Sequence, residues 1–204
     1  ELKRAKHALV VLPKTASVES LRAVPGAKWL SAALARRKKQ LADLAKSPLA
    51  VEVEPGVLSS WIMLDPAWPV FEQHTLLRKG LQLLLAEKPE VVAIGVFGTT
   101  TQRGRAAEHA VYAAWANGAS LPVRKKKSED AALGTVRLHA YRSADGFARQ
   151  HALAQGNLLC RELTVLPPNE LYPGSYRKRV AQLARQQGWR TAEYEMKRLR
   201  KMGR

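Results

Sequence analysis

This chain has a single cysteine, half as many acidic residues as basic ones, and no long apolar run. Each shortage excludes something. With only Cys160, no internal disulfide can form, and the usage fits a reducing compartment. Cys160 falls among leucines on a predicted helix and reads as a small packed hydrophobe. A bilayer span needs about 20 consecutive apolar residues, and no such stretch is present. The opening Glu1-Leu2-Lys3-Arg4-Ala5-Lys6-His7 is charged and the apolar run after it is short, so it lacks a signal-peptide pattern. A cytoplasmic location with no membrane partner is the resulting expectation.

Recognisable catalytic and metal motifs are also missing. His7, His74, His109, His139 and His151 show no metal-ligand spacing with each other, with cysteine or with a carboxylate, and read as surface or packing histidines. Glu108-His109 has no His-Glu-x-x-His partner. Glu52 and Glu54 share one strand face with no opposing acid, and Asp65 before Pro66 reads as a turn residue. The segment Gly98-Thr99-Thr100-Thr101-Gln102-Arg103-Gly104-Arg105 joins a strand to a helix, where backbone amides can meet phosphate. It matches neither Gly-x-Gly-x-x-Gly nor a phosphate-binding Gly-Lys-Ser/Thr loop, and reads as a connector.

What is present is a core and a strong positive charge. The 204 residues are 46% hydrophobic, enough for a real core and too apolar for a disordered tail. Lys and Arg number 34 against 17 Asp and Glu, a net charge of +17 that favours polyanionic partners. Two clusters are candidate nucleic-acid contacts: Arg36, Arg37, Lys38, Lys39 and Arg124, Lys125, Lys126, Lys127. A looser basic run spans Arg177-Lys178-Arg179 and Lys197-Arg198, Arg200-Lys201. The competing explanation is a solvated basic surface, because phosphate binding needs the charges on one face.

The apolar pattern alternates strand and helix. Strands are predicted at His7–Leu12, Leu49–Val53, Val57–Leu64, Val91–Phe97 and Leu133–Tyr141, the second and third joined through Glu54-Pro55-Gly56. Helices are predicted at Ala27–Lys46, Val70–Glu87 and Arg105–Asn117, with a turn of helix within Ser17–Val24. This order predicts an α/β fold: a three-layer, macro-domain-like domain with a mixed sheet over residues 1–142. Residues 143–204 would be a linker helix and the start of a second α/β domain. There, a helix over Gly146–Leu166 ends at Pro167-Pro168, a helix runs from Pro173 to Gln187, a short strand covers Trp189–Tyr194, and a last helix spans Glu195–Met202.

The junction carries the most specific pattern. Asn157-Leu158-Leu159-Cys160-Arg161-Glu162-Leu163 is followed by Leu166-Pro167-Pro168-Asn169-Glu170-Leu171-Tyr172-Pro173 and by a Lys197-Arg198-Leu199-Arg200-Lys201-Met202-Gly203 ending. This order resembles the leucyl aminopeptidase family of cytosolic two-metal exopeptidases. The resemblance is moderately specific from Gly146 onward and rests on element order before it. It implies a longer protein that releases N-terminal residues from peptides with two zinc or manganese ions, assembled as a homo-hexamer. The family's metal-holding lysine and carboxylates would lie beyond Arg204, so no catalytic or metal residue is assigned here and the chain alone is expected to be inactive. Some family members also bind DNA through this region. Two other readings stay open: a basic nucleic-acid-binding module on the same fold, and a catalytically silent structural subunit.

Overall fold

A computed structural model describes residues 5–122 and 132–203. The cluster Arg124–Lys127 lies outside the described residues. The chain divides into two compact units, residues 1–161 and 162–204.

The first unit is a three-layer α/β sandwich around a five-stranded mixed sheet. Its elements are β1 (His7–Pro13), α1 (Ala27–Arg36), β2 (Leu49–Glu54), β3 (Val57–Leu64), α2 (Val70–Leu85), β4 (Val91–Val96), α3 (Thr100–Gly118), β5 (Thr135–His139) and most of α4 (Ala148–Val165). The sheet order is β2-β3-β1-β4-β5. β1 is central and runs parallel to β3 (Val10 beside Trp61) and to β4 (Val10 beside Gly95). β5 is parallel to β4, and only β2 is antiparallel, through its hairpin with β3.

Alternation along the strands sends side chains into two cores. Leu9 and Val11 of β1, Ile62 and Leu64 of β3 and Val92, Ile94 and Val96 of β4 pack under α2 and α3. Ala8, Val10 and Leu12, with Trp61, Met63 and Ala93, pack under α1 and the 3-10 turns Ser20–Ala23 and Leu41–Ala45. Burial on both faces is why β1 and β4 read as unbroken apolar runs. Gly80 of α2 marks the tightest approach: a Cβ there would meet Ile62 Cγ2 at 3.0 Å and Leu9 Cδ1 at 3.1 Å.

Several expected helix bounds are corrected. The helix expected over Ala27–Lys46 stops at Arg36, and Lys38 takes a left-handed φ of 53°. The chain then restarts at Gln40, whose N–H donates to Asp43 Oδ2 at 2.9 Å, as the turn Leu41–Ala45. Conversely, α3 starts at Thr100, ahead of the expected Arg105, because Thr99 caps it: Gln102 N–H donates to Thr99 Oγ1 and Thr99 N–H to Gln102 Oε1. Trp29 of α1 and Phe71 of α2 are exposed.

α4 buries only Ala154, and Cys160 on it is exposed rather than packed. The second unit contains the end of α4, α5 (Pro173–Gln187) and α6 (Met196–Lys201). Trp189–Tyr194 makes no strand, because no described segment pairs with it. Pro173 opens α5, and Gly188, at φ 68°, closes it with Trp189 N–H bonded to Ala184 O.

Leu77 sits at 0% exposure under the α2–α3 layer. Leu77→Ala is expected to lower the unfolding free energy by about 2–5 kcal/mol in urea denaturation. A change near zero would mean that the α2 layer is not packed as described.

Candidate functional site

In open α/β sheets, ligands favour the carboxyl ends of the strands beside the central crossover point. Here that region is closed by the protein's own side chains. Lys14, just after β1, donates from Nζ to Asp65 Oδ2 at 2.6 Å, and its N–H bonds Leu64 O at 2.9 Å. Asp65 Oδ1 also accepts from Ala67 N–H at 3.0 Å. The Lys14 bond, then the Ala67 N–H, hold the Asp65 carboxyl below its ordinary value. Asp65 is therefore a turn residue, as read from the sequence, and also the tie between two strand ends. Gly98 takes φ 115°, and a Cβ there would meet Gln102 Oε1 at 2.6 Å and Pro13 Cγ at 3.1 Å. The crevice between Leu12, Leu64, Phe97, Gln102 and Arg105 keeps about 20 Å³, room for about one water. The Gly98–Arg105 segment is a capped helix start, in keeping with its reading as a connector.

A larger cleft of about 600 Å³ lies near the start of β3, between α1, the 3-10 turn Ser20–Ala23 and the β2–β3 hairpin. Val18, Trp29, Val53, Arg22, Lys28 and Glu54 line it. Its single acid and two cations form no acid/base pair. A register shift falls between Glu52 and Glu54, and Glu52 accepts from Gly56 N–H at 3.0 Å.

One constellation leaves no signature in the sequence. His74 of α2 and His109 of α3, 35 residues apart, meet with Nε2 and Nδ1 at 2.9 Å. Their rings cross edge to face at 4.9 Å, and Tyr112 lies against His74 at 4.7 Å. The pairing of two helices makes this contact, and no spacing along the chain signals it. Burial, then the neighbouring His109, lowers the pKa of His74. Burial chiefly lowers that of His109, with Glu108 raising and Arg105 lowering it further. Both rings favour the neutral form. One nitrogen must donate and the other accept, so the contact cannot survive protonation of both facing nitrogens.

Of the basic clusters, Arg36, Arg37, Lys38 and Lys39 are all exposed at the end of α1. In the second unit, Arg177 pairs with Glu193, and Arg198 lies 4.6 Å over the Tyr194 ring. Among the described residues, no group of three or more His, Cys, Asp and Glu could hold a metal ion, and no helix is long and apolar enough to cross a membrane.

No protein-family model and no curated protein sequence matches the chain. Solved structures do. The bottromycin maturation enzyme BotP in complex with Mn superposes with a TM-score of 0.62 at 20% identity, covering 98% of this chain and 40% of that one. A second BotP structure gives 0.60 at 19% identity, with 98% and 41% covered. Cytosol aminopeptidase from Coxiella burnetii gives 0.56 at 14% identity, with 91% and 37% covered. The chain has an aminopeptidase-like fold. It spans about two fifths of the length of these structures, and the likeness supports the resemblance read at the Asn157–Pro173 junction.

The histidine pair sets a pH dependence. Both folded-state values lie below the unfolded one, so the unfolded chain binds more protons as pH falls through about 6.5. Stability is therefore expected to decline from pH 7.5 toward 5.5, and a His74→Gln/His109→Gln double variant should flatten that slope. Urea midpoints across the range test it; identical slopes in both proteins would refute the assignment.

Proposed function

We propose that this chain is the non-catalytic portion of a leucyl-aminopeptidase-type metallo-exopeptidase. Residues 1–142 would form its macro-like domain, and residues 143–204 the linker helix and the beginning of its catalytic domain. The carrying observation is that nearly the whole chain superposes on two fifths of an aminopeptidase and of a maturation enzyme of similar fold. The junction motif supports the same reading from an independent direction. In the intact protein, two divalent ions, zinc or manganese, would polarise the peptide carbonyl and activate water. Residues outside this chain would hold them. This part would shape the surroundings of the site and help a cytoplasmic homo-hexamer assemble. The exposed Tyr172, Tyr176, Val180 and Trp189 of the second unit fit such a surface-forming role.

The purified 204-residue chain is expected to show no hydrolysis of leucyl amide substrates with added Mn2+ or Zn2+. A gene product extending past Arg204 should cleave them with metal, and an intact mass of the expressed protein tells the two materials apart. Metal-dependent turnover by the short chain alone would overturn the assignment.

A second reading is favoured by the exposed run Arg36–Lys39 and the net charge of +17: a nucleic-acid-binding module on this fold. If phosphate contacts run through the first cluster, the Arg36→Ala/Arg37→Ala/Lys39→Ala variant should make the slope of log K against log salt shallower by about 2–3 on duplex DNA. An unchanged slope would mean that these side chains are ordinary solvated charges.

A further inference from the structure

The His74–His109 contact brings two imidazole nitrogens together from two different helices. We propose that this pair is a binding site for one divalent transition-metal ion of the nickel, copper or zinc type. Its ligands both belong to this chain, and the proposal does not rest on the peptidase reading.

Four observations carry it. The facing nitrogens are 2.9 Å apart. Imidazole bonds such ions at about 2.0–2.1 Å, and two nitrogens at this separation then subtend about 90°, the angle between neighbouring ligands in square-planar or octahedral coordination. The pair thus suits nickel and copper directly, whereas tetrahedral zinc needs the rings to part by roughly 0.4 Å. Second, half-burial keeps both rings in the neutral, ligating form. Third, α2 and α3 pack on one sheet face in the same core, and Tyr112 against His74 limits that ring's rotation, so the donors are positioned before an ion arrives. Fourth, both histidines are partly open, so water can fill the other positions.

Neutral imidazoles already carry one proton each, so binding releases none. The donor ring moves its proton to its other nitrogen, and the ion takes the two lone pairs that face each other. Glu108, beside His109 on α3, favours the ion, whereas Arg105 opposes it. Arg78, one turn after His74 on α2, adds a second cation in the neighbourhood. Nitrogen ligands disfavour manganese, which prefers oxygen donors, so the site should discriminate against it.

The test is calorimetric titration of the untagged full chain with NiCl2, ZnCl2 and MnCl2 at pH 7.5. One Ni2+ or Zn2+ is expected to bind and Mn2+ is not. His74→Gln and His109→Gln should each weaken binding by at least about tenfold, since even outer-shell losses at metal sites cost about 10–100-fold. His7→Gln and His151→Gln should leave it unchanged. Should a Gln variant misfold, Ni2+ broadening of histidine ring resonances in the unaltered chain decides: loss of the His74 and His109 signals first supports the site. Equal affinity in all four variants, or broadening that starts at other histidines, overturns it.

Discussion

The fold depends on β1 being buried on both sides at once. Five consecutive residues, Ala8 to Leu12, are nearly inaccessible, and their side chains alternate between the α2–α3 core and the α1 core. Because β1 has a parallel neighbour on each flank, the chain must cross from β1 to β3 and back over to β4, which puts its crossover point at the carboxyl end of β1. That is where a nucleotide would bind in a sheet of this kind. The Lys14–Asp65 bond and the Gln102 side chain, drawn back to cap α3, fill it instead. The same constraint that builds the core thus places a closed seam where related architectures can keep an open pocket.

β1, β3 and β4 were legible because burial on two faces writes itself as a run of apolar residues, and the β2–β3 hairpin because Pro55-Gly56 punctuates it; the short Trp189–Tyr194 run, with no partner to pair with among the described residues, was misleading. Helix ends were harder. Arg36-Arg37-Lys38-Lys39 has good helical propensity, yet the helix stops there, because the left-handed Lys38 turns the chain so that Leu41 and Leu44 can reach the α1 core. At α3 the polar Thr99-Thr100-Thr101-Gln102 concealed the start, although Thr99 and Gln102 stand at capping-box spacing, a signal that the sequence does contain. The amphipathic pattern of α4 overstated its burial, since Leu153 and Cys160 are exposed. The histidine pair was illegible for a different reason: only the side-by-side packing of α2 and α3 brings positions 74 and 109 together.

The charge separates less than its size suggests. Asp65, Glu87 and Glu193 each pair with a basic or imidazole group, so part of the small acidic complement is already engaged locally. The surplus of Lys and Arg is left on the surface, where it creates a positive field whatever the protein does. Both the exopeptidase reading and the nucleic-acid reading accommodate that field. The fold is common to both readings, and the Asn157–Pro173 junction is the feature that resembles the aminopeptidase pattern specifically.

The second unit makes the strongest physical case for a surface rather than a core. α5 buries only Ala184, and α6 buries no described residue. A helix of this length is marginal in water unless packing or local devices hold it. Here the devices are visible: Tyr172 N–H donates to Ser175 Oγ, that hydroxyl donates back to Glu170 O or Tyr172 O, Pro173 presets the first turn, and Gly188 ends it. The Arg177–Glu193 pair ties the following extended segment to the helix. Local capping thus compensates for burial that the helix does not have, and leaves Tyr176, Val180 and Trp189 outward. A segment held by its caps while aromatic side chains face solvent presents a surface rather than a core.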